Sequence, residues 1–196
     1  MNRMPRIKGK GAQQCHNAVA RYNLGENIAR HMGFIYSIIL FDKFDFSMKK
    51  LQNFSDALLE LKKRWMDDSN NDITSESLVI YCQKKKINVA GFVKSIPFSQ
   101  KMFLSDFKGQ RAAVGCEKNI NSSFMATLYL SVPILKEKYK FSNAKIEEFF
   151  RWVEFYVDSY YRKQPGSKER YCSDEGIRQA FIEDTKIDIL TGEKIA

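Results

Sequence analysis

Two histidines and four cysteines in 196 residues leave little room for metal or nucleophile chemistry. Cys15, His16 and His31 are the one His/Cys grouping. Cys15 and His16 are adjacent, so a helix projects them to different sides, which fits no zinc spacing. Cys82, Cys116 and Cys172 are far apart and form no C-x-x-C pair. The acidic run at 67–72 has the outline of a calcium loop. Counted from Asp68, however, Ile73 stands where that loop needs Gly and Val79 where it needs a closing Glu. It reads as a solvated connection between helices. Glu60-Leu61-Lys62, with Asp42 and Asp56 upstream, has the E-x-K order of some metal-dependent nucleases. Its helical spacing puts Leu61 toward the core and leaves hydrolysis a remote option. Phosphate-loop, dinucleotide, nucleophile-elbow and zinc-protease motifs are all lacking. The expectation is a non-enzymatic protein with no cofactor and no metal.

The basic residues carry the stronger pattern. Net charge is +9, and residues 1–95 hold 16 Lys/Arg against 9 Asp/Glu, while 96–196 hold 16 against 14. Arg3, Arg6, Lys8 and Lys10 lie among Pro and Gly in a stretch with little to bury, which predicts a flexible basic arm over 1–11. Further clusters are Lys49/Lys50, Lys62-Lys63-Arg64, Lys84-Lys85-Lys86 and Arg162/Lys163. Ammonium and guanidinium groups in such runs suit phosphate backbones or an acidic protein surface. Simple solvated helix faces are the competing reading. Trp65 after Lys62–Arg64 could stack on a base, but it continues an apolar stripe. No helix-turn-helix, zinc-finger or RNA-recognition signature accompanies the charge.

The elements that must position these residues come from a stretch present twice. Residues 39–54 (ILFDKFDFSMKKLQNF) and 134–149 (ILKEKYKFSNAKIEEF) match at an offset of 95. The identities are Ile39/Ile134, Leu40/Leu135, Lys43/Lys138, Phe46/Phe141, Ser47/Ser142, Lys50/Lys145 and Phe54/Phe149. Ser47 and Ser142 are N-cap residues, whose hydroxyls can accept from first-turn N–H groups. Phe46 with Leu51, and Phe141 with Ile146, have the N′–N4 spacing of a hydrophobic staple. Upstream, residues 12–41 read as an apolar helix, with breaks possible near Gly25 or Gly33, and 121–135 is its counterpart, with Pro133 disturbing the end. Downstream, Leu51, Phe54, Leu58, Leu61 and Trp65 make one amphipathic stripe. Ile146, Phe149, Phe150, Val153, Tyr156, Val157 and Tyr160 make the other. Each helix leads through a polar loop to a short helix, over 77–86 and 176–186, and a β-branched exit (87–89, 187–189). Residues 90–120 are irregular, with one short helix near 100–107.

The string GFIYSIILFDKFDFSMKKLQNF resembles small proteins of phages and prophages of Gram-positive bacteria. Their shared pattern is an apolar helix, an acidic-aromatic turn, Gly-Phe-Gly/Ser-x-Lys-Arg/Lys-Leu, then Phe three residues on. Phe44-Asp45-Phe46-Ser47 with Lys49, Lys50, Leu51 and Phe54 carries the match. The second copy keeps Phe141, Ser142, Lys145, Ile146 and Phe149 but has Ala144 at a basic position. The resemblance implies a phage accessory protein and brings no catalytic or binding residues with it.

These readings give an all-α fold. It holds two similar units, each a long apolar helix, a capped amphipathic helix and a short helix, packed as a pseudo-symmetric body or as neighbouring lobes. The boundaries are a basic arm (1–11), repeat 1 (12–95), a linker (96–120) and repeat 2 (121–196). The expected function is binding of nucleic acid or a nucleic-acid-bound complex. The alternative is inhibition or regulation of a host protein, such as a bacterial defence complex. Hydrophobic content of 44% supports a packed core. No apolar run reaches the ~20 residues of a bilayer span, and the scattered cysteines suit a reducing bacterial cytoplasm.

Overall fold

In a computed structural model the protein is all-α. The described residues are 10–67, 73–97, 116–161, 178–179, 181–183, 186–188 and 194, with side chains described from residue 24 onward except at 116, 117, 119, 160 and 161. The helices are α1 (Lys10–Phe44), α2 (Met48–Met66), α3 (Ser75–Lys84), α4 (Val89–Ser95), α5 (Cys116–Pro133) and α6 (Asn143–Tyr161). A π-helical turn, Ile134–Lys138, extends α5. An isolated β-bridge pairs Ile187 with Lys194. Residues 1–9 of the expected basic arm, the 100–107 segment, most of the 67–72 run, and the 162–175 loop with Arg162 and Lys163 lie outside the described residues, whereas Lys10 and Gly11, expected in the arm, form the first turn of α1.

The helix α1 runs unbroken through Gly25 and Gly33, where breaks were possible. Each glycine costs a helix about 0.5–1 kcal/mol relative to Ala. Burial of Leu24, Ile28, Met32 and the run 34–40 outweighs that cost. Pro133 does disturb the end of its helix. Proline has no N–H for the helical ladder, and the next turn widens until the Tyr139 N–H reaches the Ile134 carbonyl at 3.4 Å. Buried hydroxyls on α5 are satisfied locally, Thr127 donating to the Phe124 carbonyl and Ser131 to that of Leu128.

Other boundaries moved for local reasons. The first short helix begins at Ser75, because Thr74 and Ser77 form a reciprocal capping box. Residues 87–89 do not run on as an extended exit. Asn88 Oδ1 accepts from the Gly91 N–H at 2.8 Å and starts α4 at Val89. Helix α5 begins at Cys116, earlier than the expected 121. Trp65 is half-buried and not a full member of the core stripe.

The two matched stretches share their backbone geometry. Asp45 and Lys140 are both left-handed, at φ 54° and 56°. The motif's leading Gly falls at Asp45, a backbone conformation glycine takes without penalty. After each of these residues an N–H reaches back six residues, Phe46 to Leu40 and Phe141 to Leu135, at 3.0 Å both times. Ser47 and Ser142 then cap as expected, accepting from the Lys50 and Lys145 N–H groups at 3.4 and 3.2 Å. Across the contact between the stretches, the rings pair reciprocally. Phe44–Phe141 and Phe46–Tyr139 have centroids 4.9 and 4.7 Å apart, and Phe44–Phe149 and Phe54–Tyr139 are 6.4 and 6.3 Å apart. Helix α5 packs against α1, α2, α3 and α4, and α1 also meets α2 and α6.

Phe54 and Phe149 are both essentially sealed from solvent. Phe54→Ala and Phe149→Ala should each cost about 3–5 kcal/mol in chemical denaturation; near-wild-type midpoints for both would dismantle this core. Lys140→Gly relieves a left-handed side-chain residue, a strain of about 1–2 kcal/mol, against a somewhat smaller glycine entropy cost. The variant should melt slightly higher than the parent.

Candidate nucleic-acid interface

The structure gathers lysines from both halves of the chain at one end of the helical body. The C-terminus of α1, the N-termini of α2 and α6, the C-terminus of α3 and the π turn all meet there. Side chains link them to each other's backbone. Tyr139 donates its hydroxyl to the Lys50 carbonyl at 3.0 Å, and Lys138 Nζ donates to that of Asn53 at 2.9 Å. Asn143 Nδ2 donates to the Lys85 carbonyl at 2.8 Å, while its Oδ1 accepts from Lys136 Nζ at 2.8 Å.

Lys49, Lys50, Lys84, Lys85 and Lys86 are exposed at this end, as sequence reasoning expected of a surface. Lys138, Lys140 and Lys145 are exposed beside them and Lys136 is half-buried. Sequence reasoning left these four out of the candidate surface. The signal was present in the repeat itself, since Lys138 and Lys145 are two of its identities. Lys50 Nζ lies 5.7 Å from the centre of the Phe46 ring and Lys145 Nζ 5.6 Å from that of Phe141. The two rings are themselves 6.1 Å apart. Each ammonium thus sits on the negative face of a buried ring and keeps its donors toward solvent.

Glu137 is an acidic member of this end with defined partners. It accepts from the Tyr81 hydroxyl at 2.5 Å and lies 3.4 Å from Lys85 Nζ. The Tyr81 hydrogen bond first, then Lys85, holds its carboxyl below the usual carboxylate range. Desolvation, joined by the Glu137 hydrogen bond and charge, pushes the Tyr81 hydroxyl upward. The adjacent Cys82 thiol is buried and pushed up to about 11, which makes it a packing residue and a poor nucleophile.

The other candidates fall elsewhere. Lys62 is half-buried and paired with Glu26 across α1 and α2, at 2.7 and 2.9 Å to its two carboxylate oxygens. Lys63 and Arg64 are exposed at the far end of α2 from Lys49. Trp65 donates its indole N–H to Ser75 Oγ at 3.1 Å. The hydrolytic set is not assembled. Asp42 lies 2.7 Å from Lys43 Nζ and accepts from the Tyr156 hydroxyl, whereas Asp56 accepts from Gln52. Among the described residues, no three His, Cys, Asp or Glu side chains group to hold a metal ion, and no helix is long and apolar enough to cross a membrane. No protein-family profile, curated protein or solved structure matches the chain.

Glu137 has a depressed pKa, so its contribution to stability is present above the ordinary carboxylate range and lost as pH falls through the lowered value. Tyr81→Phe removes the largest cause. The Glu137 carboxyl, followed by NMR, should then titrate at higher pH, and the stability lost on acidification should shrink; an unchanged titration would refute the assignment.

Proposed function

We propose that the protein binds nucleic acid through this lysine-rich end, as a non-enzymatic accessory protein of a phage or prophage. The observation that carries the proposal is the convergence of Lys49, Lys50 and Lys84–Lys86 with Lys136, Lys138, Lys140 and Lys145 from the second copy. Clustered, exposed ammonium groups attract a phosphate backbone by displacing its counterions. We read the two stretches as copies of one unit about an approximate twofold axis, on the strength of the reciprocal ring pairs. Two copies explain why lysines of both reach one surface. The phage assignment rests on the motif carried by Phe44–Ser47, Lys49, Lys50, Leu51 and Phe54.

A second reading, regulation of a host protein, is favoured by one observation. Phe155 on α6 is 54% exposed and sits edge-on to Trp152 and Tyr156. Exposed aromatics of this kind are enriched where proteins meet.

Fluorescence anisotropy with labelled DNA and RNA tests the first reading. Affinity should fall linearly on a log–log salt plot, by about 0.9 in slope per phosphate neutralised on duplex DNA. Replacing Lys49, Lys50, Lys140 and Lys145 by Ala should lower the slope by about one per lysine that contacts a phosphate. Absence of binding at low salt would refute the reading. A nuclease-resistant host complex lost on Phe155→Ser would favour the second in its place.

A further inference from the structure

A cavity of about 450 Å³ opens between α1, α2, α3 and α5, at the opposite end of the body from the lysine cluster. Its walls include Gly25 and Ala29 of α1, Trp65 and Met66 of α2, and Met125 and Tyr129 of α5. The second copy provides an internal control for why this space exists. At the repeat offset of 95, Gly25 corresponds to Ile120 and Ala29 to Phe124, and both larger residues are fully buried. Glu26 corresponds to Asn121, and Lys62 to Val157, another sealed core residue. The second unit thus fills with side chains what the first leaves as space. Nor is backbone crowding the reason for the small residues. A Cβ on Gly25 would meet only Ser123 Oγ at 3.5 Å, an ordinary contact.

We infer that this cavity is a binding site for a compact, uncharged aromatic molecule. Its volume lies within the 300–1,000 Å³ range of small-ligand sites, which are mostly apolar with few polar groups. The chemistry of the guest follows from the wall. Indole and phenol rings with two thioethers favour an aromatic guest. Much of the wall's polar chemistry is already engaged, Lys62 with Glu26, Trp65 with Ser75, and Thr127 with both Tyr36 and the Phe124 carbonyl, which leaves the hydroxyls of Ser122, Ser123 and Tyr129 as its other polar groups. A guest with several donors or a charge would leave its own groups unpaired there. This site is independent of the nucleic-acid reading.

The full chain titrated with N-phenyl-1-naphthylamine, a neutral dye that brightens in apolar surroundings, tests the inference. One saturable equivalent should bind, and Ala29→Phe, which installs the second copy's residue, should weaken binding at least tenfold while circular dichroism and melting stay at or above the parent's. Should Ala29→Phe fail to fold, Ser123→Leu fills the space from the facing α5 wall and should have the same effect. Phe155→Ser, on a different surface, should leave the dye bound. Lack of saturable binding, binding unaffected by a folded cavity-filling variant, or loss on Phe155→Ser would each overturn the inference.

Discussion

The interlocked ring cluster between the two matched stretches is the contact on which the rest depends. Phe44, Phe46 and Phe54 of the first stretch meet Tyr139, Phe141 and Phe149 of the second in reciprocal tilted and edge-on pairs. Aromatic pairs of this geometry add roughly 0.5–1.5 kcal/mol beyond the area they bury. Their placement needs the left-handed residues Asp45 and Lys140, which turn the chain sharply before each Phe. Serine caps then fix where α2 and α6 begin. Cap, turn and ring are one device used twice.

That device also dictates where charge goes. Each stretch puts a lysine four residues after its stapling Phe, and each lysine lies over that ring. Bringing Phe46 and Phe141 together therefore brings Lys50 and Lys145 to the same end, with α3 and the π turn adding their own lysines. A cluster of like charges opposes folding modestly. Cation–ring contacts, the Lys85–Glu137 pair and backbone acceptors for Lys138 offset part of that repulsion.

Where residues 95 positions apart differ, the surface differs. Gly25, Ala29 and the Lys62–Glu26 ion pair lie beside open space, while Ile120, Phe124 and Val157, 95 positions after Gly25, Ala29 and Lys62, are buried. Exposed aromatic surface is confined differently again, with Phe155 on α6 and its counterpart Glu60 on α2. Residues shared by the two matched stretches hold the scaffold, and residues that differ between them shape the surface.

Much of the scaffold was legible in the residues alone. Serine with a flanking Phe and an apolar N4 residue is a local signal, satisfied within one turn of chain, so both caps and the start of α2 and α6 could be read directly. The apolar stripes gave the buried faces of both helices, with Leu51, Phe54, Ile146 and Phe149 sealed as their spacing required. The continuity of α1 through two glycines was not legible, because burial against α5, not local propensity, decides it. The same holds for Trp65 and Lys62, whose surroundings are set by Ser75 and by Glu26, residues distant from them in the chain. Sequence by itself determined the all-helical units and their caps, since those are short-range physics. Only tertiary structure decided which lysines share a surface and where a cavity remains, since both depend on how side chains far apart in sequence are brought together.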